Sequence, residues 1–242
     1  MGIVIRLIIG ALGLVVFSAP AYAHDMSGWT DKTICRLVKK QGTDEYIKEA
    51  KARNLSCAAD KSSEVLVADF DKGWRAAQAG DFETALAEWT PLAQQGHAKA
   101  QTNLGVMYRY GKGVPENHKT AIKWYTKAAE QGDAKAQTNL GFMYRYGRGV
   151  RKNYKTAVMW YTKAAEQGYA KAQSNLGVMY DNGDGVLTDY VRAYMWYNLG
   201  AYNGNKLGTE NKTKLAKTMT SSQIAKAQEM SSRCLESGYT DC

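Results

Sequence analysis

Histidine is scarce in this sequence, and its scarcity limits the metal and catalytic sites that the chain can build. Only three histidines occur among 242 residues, and none lies near a cysteine pair. His118 is replaced by Tyr154 in a second copy of the same segment, which is typical of a surface position. The acidic residues are scattered, without a pair suited to general acid and base catalysis. We therefore expect a non-enzyme with no catalytic residue, no metal and no cofactor.

Long apolar runs are also lacking, apart from one near the start. The run from Leu7 to Phe17 is too short to span a bilayer. It follows Arg6 and precedes the small residues Ala21 and Ala23, a pattern typical of a secretory signal peptide. We interpret residues 1–23 as a cleaved signal peptide and expect an exported protein, periplasmic or secreted, with no membrane span after cleavage. An uncleaved N-terminal anchor is the alternative.

Basic residues outnumber acidic ones. The sequence has 32 lysines and arginines against 23 acidic residues, a net charge of +9. Cleavage after residue 23 would remove Arg6 and leave +8. In an exported chain this balance favours anionic envelope polymers, lipid headgroups or acidic proteins as partners. Nucleic acid is not an expected partner.

Cysteines are few but even in number: Cys35, Cys57, Cys234 and Cys242. In an exported chain they indicate two disulfides, although three connectivities are open. We favour Cys35 with Cys57 and Cys234 with Cys242, because each pair is local and the pairs lie at opposite ends of an elongated array. The first pair would fasten a small helical hairpin predicted at residues 28–62.

An internal repeat of 36 residues dominates the rest of the chain. Residues 97–132 and 133–168 differ at only eight positions. Residues 169–204 form a third copy that drifts towards its end, and residues 70–96 read as a worn first unit with a shorter turn. The repeat predicts an all-α solenoid of helix-turn-helix units over residues 64–204, closed by a helical cap at residues 205–242.

Each unit is predicted to hold two helices joined by a glycine turn. In the first full copy the helices span about residues 98–110 and 117–131, with "GKGV" between them. A phosphate-binding loop is excluded, because such a loop needs a preceding strand and a closing Lys-Ser or Lys-Thr pair. The second helices carry tryptophan and tyrosine at helical spacing, from Trp124 and Tyr125 to Trp196 and Tyr197, and we expect an inter-repeat core there; a sugar-stacking stripe is the alternative.

The units resemble the Sel1-like repeat (SLR) family, tetratricopeptide-like, in its exported bacterial form. The resemblance rests on "NLGVMYRYGKGV…KTAIKWYTKAAEQG" and its copies. It implies a right-handed superhelix that serves as a scaffold for protein or peptide partners. A cysteine-rich branch of the family is linked to penicillin binding and weak β-lactam hydrolysis, and its repeats each carry a cysteine pair. This chain has alanines there, such as Ala128 and Ala129.

The resemblance also implies which residues line the inner, concave face. They belong to the first helices of the three full units: Lys99, Thr102, Asn103, Val106, Arg109 and Tyr110; Lys135, Thr138, Asn139, Phe142, Arg145 and Tyr146; and Lys171, Ser174, Asn175, Val178, Asp181 and Asn182. Asparagine amides pair with the N–H and C=O of an extended backbone, and lysine or arginine holds a carboxylate. We expect this groove to bind an extended, partly acidic peptide. Alternatively, the asparagines recur only because the unit recurs.

Three functions follow in order of preference. The first is a protein–protein interaction scaffold of the cell envelope or the exterior. The second is binding of peptidoglycan or another anionic envelope polymer, favoured by the net charge. The third is a penicillin-binding or weakly β-lactam-hydrolysing member of the family.

Overall fold

The computed structural model describes residues 48–49, 52–53 and 68–242. The chain divides into two units, Met1–Leu66 and Val67–Cys242. Several predictions concern segments outside the described residues: the signal peptide, the pairing of Cys35 with Cys57, and most of the hairpin at residues 28–62. They stay predictions.

Ten α-helices make up the second unit, and residues 68–242 contain no strand. They are α1 Phe70–Ala79, α2 Phe82–Gln94, α3 Ala98–Tyr110, α4 His118–Glu130, α5 Ala134–Tyr146, α6 Tyr154–Ala165, α7 Ala170–Asn182, α8 Tyr190–Tyr202, α9 Lys206–Ala216 and α10 Ser221–Glu236. Each of the helices α1 to α8 packs against the helix that follows it, and α10 packs against α8. This is the predicted α-solenoid. No helix in this part of the chain is long and apolar enough to cross a membrane.

Polar side chains start most helices. Asn117, Asn153 and Asp189 each accept a hydrogen bond from a backbone N–H one turn into the second helix of their unit. Asp133 does the same for α5 through the N–H of Ala136 at 2.7 Å. At the start of α10, Thr220 and Gln223 form a capping box. The helix bounds therefore follow from local sequence chemistry.

A tyrosine of each second helix lies against a glycine of the first helix. Tyr125, Tyr161 and Tyr197 are at most 1% exposed. A Cβ added to Gly141 would lie 2.7 Å from the Tyr161 ring, so glycine is what lets the helices approach. The aromatic stripe is therefore core at these tyrosines and at Trp196, as expected. Trp124 and Trp160 are half-buried, each with a lysine ammonium 4.8 Å from its ring centroid.

A buried glutamine joins each repeat to its neighbours. The Nε2 groups of these glutamines donate to backbone carbonyls eight residues earlier, and their Oε1 atoms accept from amide side chains 30 residues later. The glutamines are Gln101, Gln137 and Gln173; the carbonyls belong to Ala93, Ala129 and Ala165; the amides are Gln131, Gln167 and Asn203. All six distances lie between 2.8 and 3.2 Å. Each glutamine thus satisfies buried polar groups at a repeat boundary.

The C-terminal segment folds onto the last repeat. Cys234 and Cys242 form a disulfide, one of the two pairings that the sequence favours. The bond closes a short loop that contains Tyr239, whose hydroxyl accepts a hydrogen bond from the Asn203 amide at 2.8 Å. The loop therefore connects to the glutamine and asparagine contacts of the third repeat.

Glu88 is the most buried carboxylate of the worn first unit, and it is paired. Its side chain is 6% exposed and forms an ion pair with Lys72 of α1. It also accepts a hydrogen bond from the backbone N–H of Asp69 at 2.8 Å. The Lys72 ammonium and this N–H hold the pKa of Glu88 below its usual range. Glu88 thereby fastens α2 to the start of α1.

We expect Glu88→Gln to lower the free energy of unfolding by about 1–3 kcal/mol at pH 7, because charged hydrogen bonds to a buried group are lost. A carboxylate with a lowered pKa in the folded state stabilises above its unfolded pKa and loses this effect as the pH falls through the folded value. Urea unfolding at pH 7 and pH 3 measures the difference, with exposed Glu83→Gln as control. A gap between wild type and Glu88→Gln that stays constant over this range would contradict the assignment.

Candidate binding site on the first helices

A cavity of about 480 Å³ opens between the N-terminal halves of the first helices. We call it the aromatic cavity. It is lined by Phe70, Asp71, Trp74, Lys99, Thr102, Asn103, Asp133, Ala134, Lys135 and Tyr169. Three units and the start of a fourth contribute to it, so the cavity exists only because the repeats stack. It brings together Lys99, Thr102, Asn103 and Lys135, four of the residues expected on the concave face.

Phe70 and Trp74 form the apolar wall of the cavity, and contacts with Trp89 and His97 hold Phe70 in place. The backbone carbonyl of Phe70 accepts a hydrogen bond from the Trp89 indole N–H at 3.1 Å. The Phe70 ring stacks on the His97 ring with centroids 5.1 Å apart. Trp74, one turn further along α1, is 43% exposed and offers its indole to a ligand. An apolar side chain entering here would meet a preformed aromatic surface.

Tyr169 bounds the cavity at the third repeat. It occupies the N-cap position of α7, where His97 and Asp133 stand in the earlier units, and it forms no side-chain cap bond. Burial raises the pKa of its hydroxyl, and the Asp133 carboxylate raises it further. Because its side chain does not cap the helix, it can line the aromatic cavity instead.

Asn103 is the polar group that sets this cavity apart. Its side chain is 7% exposed, and nothing in the described part of the chain forms a hydrogen bond with its amide. By contrast, neighbouring Thr102 donates to the Asp133 carboxylate at 3.0 Å, and Asp133 also caps α5. The Asn103 amide therefore lines the cavity with both its donors and its acceptor unused.

Two lysines flank the cavity. Lys99 and Lys135 are exposed, and neither forms an ion pair among the described residues. Asp71 also lines the cavity and is exposed. The Asp133 carboxylate is already engaged by Thr102 and the α5 backbone. The free cationic groups therefore come from two successive repeats.

A second cluster lies at the other end of the first helices, and we call it the arginine–aromatic cluster. It consists of Arg109, Tyr110, Asn139, Phe142, Arg145 and Tyr146. The Arg109 guanidinium lies 4.0 Å from the Phe142 ring centroid and donates to the Asn139 amide oxygen at 3.3 Å. Arg145 instead forms an ion pair with Asp184 at 3.4 Å. Arg109 thus forms no ion pair among the described residues, whereas the charge of Arg145 is largely neutralised by Asp184.

The remaining expected residues lie apart from these two groups. Val106 is half-buried and packs against the core formed by α4 and α5. Lys171 lines a separate cavity of about 440 Å³ beside Tyr169, and Asn175 is half-buried in the third repeat. Thr102, Thr138 and Ser174, which were also expected on the concave face, are at most 3% exposed. Thr102 still lines the aromatic cavity, and Thr138 donates to the Ala134 carbonyl of its own helix.

Six lining residues were not predicted from the sequence, and three of them are aromatic. Phe70 and Trp74 belong to the worn first unit, where the weak similarity to the other copies hides their register. Tyr169 carried a usable signal, because it stands where aligned copies place the capping residues His97 and Asp133. A tyrosine at a capping position indicates a role other than capping.

Among the residues described, no group of three or more histidine, cysteine or acidic side chains is arranged to hold a metal ion.

Comparison with known proteins identifies the repeat. Residues 98–133, 134–169 and 170–205 match the Sel1 repeat family model. The chain is 32% identical to a Sel1 repeat protein from Oxalobacter formigenes, with a TM-score of 0.54, and the match covers 76% of this chain and 75% of that one. This chain belongs to the Sel1 repeat family. Sel1 repeat proteins are generally non-enzymatic scaffolds for protein–protein interaction.

A second solved structure is also similar to this Sel1 repeat protein. It is c5321, a protective antigen with an SLR fold present in uropathogenic Escherichia coli strains. The identity is 29% and the TM-score is 0.46, and the match covers 86% of this chain and 54% of that one. The Sel1 chain described here thus spans about half the length of that antigen. No curated protein matches the chain.

Proposed function

We propose that this Sel1 repeat protein binds an extended, partly acidic segment of a partner protein along its first helices, with the aromatic cavity as the principal site. The unused amide of Asn103 is the observation that carries the proposal. Because this amide lines an open cavity and forms no hydrogen bond within the described chain, its donors and its acceptor can bond to a ligand without breaking an existing contact. An extended backbone supplies both the N–H and the C=O that an asparagine amide pairs with.

The charges of the cavity favour carboxylates on the bound segment. Lys99 and Lys135 stand on successive repeats, so carboxylates on either side of one apolar residue would meet both. The apolar residue would enter between Trp74 and Tyr169. The volume of about 480 Å³ lies within the usual range of binding pockets and accommodates a large side chain.

The arginine–aromatic cluster would extend the same site. Tyr110 and Tyr146 are 56% and 52% exposed. The Arg109 guanidinium lies over the Tyr110 ring, and Tyr146 contacts Phe142 and Arg145. Stacked arginine with exposed aromatics is a combination enriched at protein interfaces. A segment leaving the cavity along the first helices would reach this cluster next. We further propose that binding takes place after export, in the periplasm or outside the cell.

Selection from a phage-displayed peptide library tests the proposal. We expect enriched sequences to place aspartate or glutamate next to an aromatic or large aliphatic residue. Asn103→Ala should weaken binding of a selected peptide about tenfold, a loss of about 1.4 kcal/mol. Lys99→Ala with Lys135→Ala should weaken it at least as much.

A matched double variant controls for net charge: Lys119→Ala with Lys155→Ala removes two exposed lysines of the second helices. This control should bind like wild type. Equal affinity of Asn103→Ala and wild type would refute the proposed site. Retention on purified peptidoglycan at low salt, unaffected by any of these variants, would point instead to an anionic polymer as the partner.

A further inference from the structure

The middle residue of the Gly-x-Gly turn reverses its charge between two copies of the repeat. In the third full unit it is Asp184, whose carboxylate pairs with Arg145 of the unit before at 3.4 Å. In the second full unit the same position is held by Arg148, and the position of Arg145 is held by Arg109 in the first full unit. The ion pair of one repeat boundary is therefore replaced by two arginines at the boundary before it.

Both boundaries are packed alike, so the two arginines lie close together. An added Cβ at Gly149 or at Gly185 would in each case lie 2.6 Å from the first residue of the second helix in the preceding unit. The turn that carries Arg148 is therefore placed against Arg109 in the same way as the next turn is placed against Arg145.

Neither arginine is neutralised by a carboxylate. Arg148 is exposed and forms no ion pair with any part of residues 68–242. The Arg109 guanidinium lies 4.0 Å from the Phe142 ring centroid and donates to the Asn139 amide oxygen, and both contacts leave its charge in place. Two like charges at one boundary repel each other, and an anion bound between them would remove that repulsion.

The two arginines lie at the other end of the face that lines the aromatic cavity. Asn103, Val106 and Arg109 follow one another at intervals of three residues, so they share one face of α3, and Lys99 lies one turn before Asn103. A helix rises about 1.5 Å per residue, so Lys99 and Arg109 are separated by about 15 Å along the axis. An extended segment rises about 3.3 Å per residue and covers that distance in about four or five residues.

We infer that Arg109 and Arg148 bind a second carboxylate of the segment proposed above, on an acidic residue about four or five positions beyond the one that meets the lysines of the aromatic cavity. The inference rests on the proposed function. Guanidinium groups present paired, charge-assisted donors that match a carboxylate. The aromatic cavity already contains the carboxylates of Asp71 and Asp133, so this boundary carries the stronger preference for an anion. Arg109 and Arg148 thus select partners by the spacing of their acidic residues.

The test measures binding of synthetic peptides to the full-length chain by fluorescence anisotropy. The probes are fluorescein-labelled, C-terminally amidated peptides that contain Asp-Leu-Asp, a serine spacer and a final Asp or Asn. With the final residue about four or five positions beyond the tripeptide, the Asp peptide should bind about fivefold more tightly than the Asn peptide. At a spacing of about two residues, which spans only about 7 Å, the two peptides should bind equally. At about eight residues the advantage should fall to about twofold, because a longer loop costs more entropy.

Variants of the protein assign the effect to the two arginines. Arg109→Gln and Arg148→Gln should each reduce the fivefold advantage of the Asp peptide to about twofold or less, without changing the affinity of the Asn peptide. Lys112→Gln is the matched control, because Lys112 holds the position of Arg148 in the preceding turn, and it should leave the advantage intact.

The outcomes separate this inference from the proposed function. Equal affinities of the Asp and Asn peptides at every spacing, with both still weakened by Asn103→Ala, would overturn the inference alone. An equal effect of Lys112→Gln and Arg148→Gln would also overturn it, since the advantage would then reflect net charge. Failure of every peptide to bind would overturn the proposed function as well.

Discussion

Replacing Tyr161 by alanine should lower the free energy of unfolding by about 3–5 kcal/mol, whereas Tyr161→Phe should leave it nearly unchanged or raise it slightly. The ring is fully buried and lies against the backbone of α5 at Gly141. Its removal leaves a cavity between the two helices of the second full repeat. The hydroxyl is different, because it is buried and forms no hydrogen bond in the part of the chain that the structure describes. Burial accordingly raises the pKa of Tyr161.

Tyr197→Phe provides the matched control. Tyr197 holds the same position in the third repeat, but its hydroxyl donates to Asp181 at 3.1 Å. Losing that bond should cost about 0.5–1.5 kcal/mol. Urea denaturation followed by circular dichroism measures all three variants. A loss above about 1 kcal/mol for Tyr161→Phe would show that its hydroxyl has a partner and would contradict this account.

The helix arrangement was predictable because the chain repeats the same 36-residue unit three times. Local signals such as Asp133 as a cap and the glycines after the second helices agree with the 36-residue period, and the bounds of α3 are those expected. The helices of such an array can be predicted because the residues at helix ends and the period of the repeat indicate the same boundaries. The pairing of Cys234 with Cys242 followed from their closeness in sequence.

The binding face was harder to predict because a repeat does not say which side of a helix its neighbour uses. Asn103 and Asn139 look equivalent in sequence, yet the first amide is unused and the second accepts from Arg109. Arg109 donates to Asn139 while its guanidinium stacks on Phe142 of the same repeat. In the copy that contains Asn103, the position of Phe142 is taken by Val106, which offers no ring for an arginine. Small differences between nearly identical copies therefore decide which positions are open to a partner.

Gly149→Ala should lower the free energy of unfolding by about 2–5 kcal/mol, because two separate penalties add. The residue has φ +71°, a left-handed conformation that costs an alanine about 1–2 kcal/mol. An added Cβ would also lie 2.7 Å from the backbone carbonyl carbon of His118, and overpacking of this kind costs about 1–3 kcal/mol. Because His118 begins α4, the backbone cannot move aside without disturbing that helix.

Gly132→Ala separates the two penalties. Gly132 also has a positive φ, +91°, but an added Cβ would meet nothing within 4 Å. This variant should therefore lose only the conformational part, about 1–2 kcal/mol. Urea denaturation of both variants against wild type gives the steric part by difference. Equal losses would mean that the turn can shift away from His118 at little cost. The close packing of each turn on the preceding unit would then contribute little to the register of the repeats.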